Sequence, residues 1–456
     1  MQDNLRIMDW LHEKWRKYMT GNNWIIRGGT LVEAGQVRRG DLRITGGIIR
    51  EEGIGLAGRP DHGELDATGR FVFPGLVNTH THLFQVLLKG LGKDLVLGDW
   101  LNAAVRPFIH RMEPEDFYWA ALLGLMDMIE SGVTTALDYM YANGHPESMG
   151  QVIRAYRDLG LMPLVARGWS EKRVDFTTEK KTWEETGAVL KVVEDLERNY
   201  PDARIPLAPT ALWAMEDSGI RQLEEFVRGT DRLVTMHINE TLHDNRDSQE
   251  RLGANVVPYL DSRGLLGPGF LGVHGVWLDR QDMDTLAARG AGLSYNPVSN
   301  MLLGSGVAPV GELLSRGVPV SLGTDGAASN DTQNMLEVLK MGSLLQKVAA
   351  RDPRQGSAPA LLEMATRLGA RSLGLSERTG SLKEGFSADL FLFNPRTTGT
   401  TPAGDPVSSL IYASGKDNIE EVLVSGRIIK TKGGDLPIGK EQVMLKVWEI
   451  SRRLVL

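Results

Sequence analysis

The stretch Pro74-Gly75-Leu76-Val77-Asn78-Thr79-His80-Thr81-His82 sets the reading of the whole chain: a short apolar run ends on one histidine, and a second follows just beyond it. From here to residue 326, short β-rich runs alternate with helical patterns in a regular beat, the mark of βα units and a parallel sheet. The runs predict eight strands, at 76–80, 133–138, 162–167, 205–209, 233–237, 270–274, 292–296 and 319–325. Helical periodicity separates them. Over 114–131, for example, Pro114 suits a first turn, apolar residues recur at three and four, and Gly132 closes the end. Eight such units predict an α/β fold of the closed (β/α)8, TIM-like barrel kind.

Outside this stretch the texture changes. Trp24-Ile25-Ile26-Arg27-Gly28-Gly29, Asp41-Leu42-Arg43-Ile44 and Gly47-Ile48-Ile49 read as short strands punctuated by glycine turns. The same pattern returns, after helical stretches at about 334–374, in Ala388-Asp389-Leu390-Phe391-Leu392-Phe393 and Glu421-Val422-Leu423-Val424-Ser425-Gly426. One small β-sandwich built from both chain ends is the economical reading. The expected organisation is therefore 1–73 for its first part, 74–380 for the barrel and 381–456 for its second part, with 1–20 an extra amphipathic helix.

Composition narrows the function classes. A length of 456 residues suits one large barrel with a satellite, and no stretch approaches the roughly 20 apolar residues of a membrane span. Asp3, Glu13, Lys14, Arg16 and Lys17 interrupt the N-terminus, which has no apolar core leading to a cleavage site, so a cytoplasmic protein is expected. A net charge of −7 without a basic run gives no footprint for nucleic acid and points to a small-molecule partner. The absence of cysteine removes disulfides, thiolate ligands and a cysteine nucleophile, leaving histidine and carboxylates as transition-metal ligands.

Four of the nine histidines fall at predicted strand ends: His80 and His82 at the first, His237 at the fifth and His274 at the sixth. Asp325 ends the eighth, so all five side chains belong to the mouth where barrel enzymes place their chemistry. His80 and His82 project to one side of an extended segment, because strand side chains alternate with period two. Neutral imidazoles with one carboxylate suit Zn²⁺ or Fe²⁺ and leave a position for water, whose lowered pKa supplies hydroxide near neutrality. A lone barrel histidine is more often structural than a ligand, but a constellation at four strand ends shifts that balance. His12, His62, His110 and His145 fall outside the pattern and read as surface or packing residues, and His243 stays open.

At these residues the chain resembles the amidohydrolase superfamily, in its branch of cytosine, adenosine and guanine deaminase-like enzymes. The likeness rests on the segment around His80, on His237-Ile238-Asn239-Glu240-Thr241, Val273-His274-Gly275, Asn296-Pro297-Val298-Ser299-Asn300, Gly323-Thr324-Asp325-Gly326-Ala327-Ala328-Ser329-Asn330-Asp331 and 380–390. Within the branch it is most similar to S-adenosylhomocysteine and 5'-methylthioadenosine deaminases, with triazine hydrolases and 8-oxoguanine deaminases nearby. The resemblance implies one divalent ion, Zn²⁺ ahead of Fe²⁺, held by His80, His82, His237 and Asp325. It further implies Glu240 as proton shuttle, His274 as the group that orients substrate or water, and a homo-oligomer. A carboxylate three residues past a metal-binding histidine reaches a coordinated water and passes its proton to a ring nitrogen, then to departing ammonia. The implied reaction is hydrolytic deamination of an aminated N-heterocycle, of the adenosine or guanine type, by attack of hydroxide at the amino-bearing ring carbon.

Substrate-shaping residues are expected from the loops after the strands. Asp99 stands where adenosine-type relatives carry an acid for ribose hydroxyls, or caps a helix before Trp100. Arg167 meets an anionic or carbonyl group, or balances Asp138 and Glu171; Trp213 stacks on a planar ring or serves as a buried wall; Asn300 and Ser329 complete the expected substrate set. Ala208-Pro209-Thr210 ends the fourth strand where adenosine-type relatives usually place a histidine, Tyr295 stands where several have one, and 329–335 looks more like the triazine and oxopurine branch. The alternative is therefore an s-triazine hydrolase releasing halide or alkylamine. A catalytically idle, metabolite-binding barrel is the remaining class, and the intact ligand set with Glu240 argues against it.

Overall fold

The computed structural model describes residues 21–172 and 183–455, so the helix expected over 1–20 lies outside the described residues. The chain opens with β1 (Trp24–Glu33), β2 (Gln36–Thr45), β3 (Ile48–Gly53), β4 (Gly63–Asp66) and β5 (Phe71–Pro74). Gly28, at φ 66°, marks the point where the ladder between β1 and β2 shifts register, a backbone state that glycine enters without penalty.

All eight runs expected between 76 and 325 contain a strand. They are β6 (Leu76–Thr81), β7 (Val133–Met140), β8 (Val165–Trp169), β9 (Leu207–Pro209), β10 (Val234–Ile238), β11 (Phe270–His274), β12 (Gly292–Tyr295) and β13 (Val320–Leu322), each parallel to the next. The first and last meet. Asp325 N–H donates to the His80 carbonyl at 3.0 Å, and Thr79 Oγ1 donates to the Leu322 carbonyl at 3.0 Å. Four strands begin later than expected, and in three of them a proline precedes the start: Pro163 before β8, Pro206 before β9 and Pro319 before β13, while β10 starts one residue late without one. Proline has no N–H to give to a ladder, so pairing starts beyond it. The helix Pro114–Glu130 matches its expectation, with the Glu113 N–H capped by Asp116 Oδ2 at 2.8 Å and Gly132 turning at φ 89°.

After the barrel come β14 (Leu390–Phe393), β15 (Ile419–Val424) and β16 (Arg427–Lys430). They join the N-terminal strands in one sheet of order β16-β15-β14-β5-β1-β2-β3, with β4 beside β1. The chain ends are thus one unit, sewn by β5 against β14, where Phe73 stacks on Phe391 at 5.3 Å and Phe71 on Phe393 at 5.9 Å. The sheet curls until its β3 edge meets the segment that leads into β14, with Ile49 N–H donating to the Phe386 carbonyl at 2.9 Å and Ala388 N–H to that of Gly47 at 2.8 Å. Ile26, Leu31, Leu42, Ile44, Leu390, Leu392 and Leu423 fill the space between. The last helix, Lys440–Val455, lies on Pro114–Glu130 rather than on this sheet. Lys440 pairs with Glu130 at 2.6 Å, Arg453 with Asp116, and Ser451 Oγ donates to the Leu87 carbonyl. Among the described residues, no helix is long and apolar enough to cross a membrane.

Candidate metal centre and active site

β6, β10, β11 and the turn after β13 bring the five singled-out side chains to one end of the barrel. His80 Nε2 and His82 Nε2 each lie 3.4 Å from Asp325 Oδ1. Ligand atoms of His80, His82 and Asp325 fall within 4.8 Å of one another, and so do those of His80, His237 and His274. Ring centroids are 5.0 Å apart for His80 and His237 and 5.4 Å for His237 and His274. The pattern read along the chain is one cluster in space.

Hydrogen bonds around the cluster sort the rings by what they present. His82 Nδ1 meets the Tyr139 carbonyl at 2.7 Å, and His237 Nδ1 meets that of Thr210 at 2.6 Å. A carbonyl accepts only, so each Nδ1 carries the proton and each Nε2 keeps a lone pair for the centre. His274 is the reverse. Its Nδ1 faces the Asn300 amide Nδ2 at 3.0 Å and must accept, which puts the proton on Nε2, 3.6 Å from Glu240 Oε2. Both ring nitrogens of His80 are buried without a hydrogen-bond partner among the described residues. Buried polar nitrogens without partners are rare, and a cation between His80, His82, His237 and Asp325 would satisfy one of the two. The donor set fits a divalent transition metal.

The backbone here is held in uncommon states. Asn239, His274 and Asp325 have φ of 48°, 74° and 60°, a region that costs non-glycine residues about 1 kcal/mol or more. These turns end the strands abruptly and throw the side chains inward. Electrostatics follow from burial. Desolvation, then the neighbouring His80, lowers His82 to about 3, and desolvation, then Asp325 acting the other way, leaves His274 at about 4. Both imidazoles are neutral near pH 7. Burial opposes ionisation of Asp325, but the imidazole of His80, with its Nε2 at 3.4 Å, holds it well below the usual carboxylate range. Burial, then repulsion from Asp325, pushes Glu240 well above its ordinary value, with Ser305 Oγ donating to its Oε1 at 3.4 Å.

The cluster floors a cleft of about 1160 Å³, open to solvent. His82, His237, His274, Glu240 and Asp325 line it, as do Trp100 and Trp213. Four other expected substrate residues stand elsewhere. Asp99 is exposed and does not line the cleft; Arg167 is buried against Glu184 at 2.6 Å; Asn300 bonds His274; and Ser329 Oγ lies 3.4 Å from Asp325 Oδ2. Thr210 lines the cleft, whereas Tyr295 is turned away to Gln346 at 3.1 Å. His110, read as surface or packing, lines the cleft together with Arg106, Tyr141, Lys172 and Asp244, none of which the sequence singled out. Tyr141 immediately follows β7, and the strand-end rule that found the histidines would have found it too. His110 carries no such signal. His243 is exposed and off the lining.

Residues 71–429 match the family described as Amidohydrolase family, which is most of the chain. The chain belongs to the amidohydrolase family. This amidohydrolase is 34% identical over 435 residues to the 5'-deoxyadenosine deaminase of Methanothermobacter thermautotrophicus, covering 95% of this chain and 99% of that one. It is also 34% identical over 429 residues to the 5-methylthioadenosine/S-adenosylhomocysteine deaminase of Pyrococcus furiosus, covering 93% and 99%. Among solved structures, the amidohydrolase shares its fold with a zinc-bound adenosine deaminase from Xanthomonas campestris, at TM-score 0.86 and 24% identity over 95% of this chain and 98% of that one. It shares it equally with the zinc complex of atrazine chlorohydrolase from Arthrobacter aurescens, at TM-score 0.86 and 23% identity over 94% and 100%.

Proposed function

We propose that this amidohydrolase is a hydrolytic deaminase of a 5'-modified adenosine, of the 5'-deoxyadenosine, 5'-methylthioadenosine or S-adenosylhomocysteine kind, releasing ammonia. One observation carries the reading: a buried carboxyl, Glu240, stands beside a histidine and carboxylate cluster at the floor of a cleft. The 34% identity to named deaminases over nearly the whole chain selects deamination, whereas the triazine hydrolase shares the fold at 23%.

His80, His82, His237 and Asp325 would hold the ion, with Zn²⁺ favoured by the nitrogen and oxygen donors and by the zinc in both solved neighbours. When bound, such an ion lowers the pKa of water and supplies a nucleophile near neutrality. The chain's own groups then act in sequence. Glu240, whose protonated form burial favours, gives its proton to the ring nitrogen beside the amino-bearing carbon, which makes that carbon electrophilic. Asp325 accepts a hydrogen bond from the incoming water. His274 Nε2–H donates to the oxygen at the tetrahedral carbon, its tautomer fixed by Asn300. Glu240 takes one water proton and passes it to the amine, which leaves as ammonia, and the remaining hydroxyl proton returns to Glu240 as the carbonyl forms. Trp100 and Trp213 wall the planar base, and Ser329 steadies Asp325. Residues 74–380 are the unit that carries this chemistry, with 1–73 and 381–456 in support.

The test is a panel of 5'-modified adenosines, guanine and s-triazines given to the metal-loaded protein. Ammonia from the adenosines supports the reading; chloride or alkylamine from a triazine with no ammonia from any purine contradicts it.

A further inference from the structure

Gln333 lies outside the cleft, yet it ties together the two strand ends that carry most of the candidate ligands. Its side chain is fully buried. Its Oε1 accepts from Thr81 Oγ1 at 2.7 Å and from Thr324 Oγ1 at 2.6 Å, while its Nε2 donates to the Asp325 carbonyl at 3.0 Å. Thr81 sits between His80 and His82, and Thr324 precedes Asp325. One amide thus spans from the middle of the His-x-His segment on β6 to the backbone of the aspartate beyond β13.

The far side of Gln333 is equally fixed. Its backbone N–H donates to Asp127 Oδ2 at 2.8 Å, and the other oxygen of Asp127 pairs with Lys416, which also reaches Glu130 at 3.3 Å. The amide is therefore braced against the helix Pro114–Glu130 and a segment beyond β14. Asp325 needs such a brace, because its φ of 60° is a costly state that persists only where the surroundings enforce it. Asn330 Nδ2 on the Thr324 carbonyl at 2.7 Å and Asn78 Nδ2 on Thr324 Oγ1 at 2.8 Å hold the same turn from two further sides. Thr81 Oγ1 also reaches the Asp325 carbonyl directly at 3.0 Å, and Gln333 closes the set by bonding Thr81, Thr324 and that carbonyl with one amide.

We infer that Gln333 is a positioning residue that sets the spacing of His80 and His82 from Asp325, and so governs how tightly the site holds a divalent ion. The inference rests on the proposed site, so its test separates the two. Zn²⁺ affinity is measured by competition with a chromophoric chelator on wild type and Gln333→Met, with the melting temperature of each metal-free protein and the KM of each Zn²⁺-saturated protein alongside. Partners that orient metal ligands typically change affinity by about 10- to 100-fold. The expected result is a loss of that size in Gln333→Met with KM for the adenosine nearly unchanged, because Gln333 does not line the cleft. Gln333→Asn keeps an amide but is too short to reach both strands, and gives a smaller loss of the same sign; it carries the test should the methionine variant fail to fold. A lower melting temperature with wild-type Zn²⁺ affinity in the folded variant makes the role merely structural and overturns the inference. A wild-type protein that takes up no Zn²⁺ removes the site reading, and this inference with it.

Discussion

At the residue scale the account turns on one acid. Glu240 is buried beside Asp325, and burial favours its protonated form, the state a proton donor to a ring nitrogen requires. Replacing Glu240 with Gln keeps the shape and removes the transferable proton. We expect Glu240→Gln to retain its metal and its melting temperature while turnover falls by on the order of 10²- to 10⁴-fold, measured as initial ammonia release. A second acid makes a prediction about pH. Asp138 is buried, accepts from the Leu83 N–H at 2.9 Å, and burial lifts its pKa to about 7. The unfolded chain loses this proton near the ordinary value of about 4. Between those values the folded state binds more protons than the unfolded one, so stability falls as pH rises through that window. Asp138→Asn should melt above wild type by on the order of a few degrees at pH 8, with the gap closing at pH 4; a constant gap would contradict the assignment. The histidine cluster was legible because strand ends and period-two alternation are local properties of the chain. His110 was not, since it reaches the cleft only through the fold-back of the short helical segments over 97–109, which no periodicity announces.

At the scale of elements, the barrel strands were legible in number and order, and three of the late starts share one cause. Proline at 163, 206 and 319 withholds the N–H that would have lengthened β8, β9 and β13. Beyond β13 the backbone must turn tightly toward the cluster, and Gly323 makes that possible. A Cβ there would lie closest to Asn296 Oδ1, then 2.8 Å from Ser294 Oγ and 2.9 Å from the His80 Cβ. Gly323→Ala therefore pushes the last strand away from both its neighbours, β12 and β6, at the metal site. Overpacking of this kind costs about 1–3 kcal/mol, so denaturant unfolding of the metal-free protein should shift by that amount and Zn²⁺ affinity should fall with it. Unchanged affinity would mean that the strand ends move independently of the ligands.

At the scale of the whole molecule, the two-ended β unit was legible because glycine-punctuated short strands recur before and after the barrel. The position of Lys440–Val455 was not. An amphipathic helix declares that it has a buried face but not which surface covers it, and here Pro114–Glu130 does so. The barrel keeps its own apolar core, including Val77, Leu137, Tyr139, Leu164, Ala166 and Leu271. Removal of the ion should consequently abolish turnover while far-ultraviolet circular dichroism stays close to that of the loaded protein; wholesale unfolding on chelation would make the ion structural instead. The most direct test is a titration of Zn²⁺ into metal-stripped protein while ammonia release from 5'-methylthioadenosine is followed. Release that climbs linearly and saturates at one ion per chain is the predicted result, and a rate indifferent to added metal, or no ammonia at saturation, would contradict it.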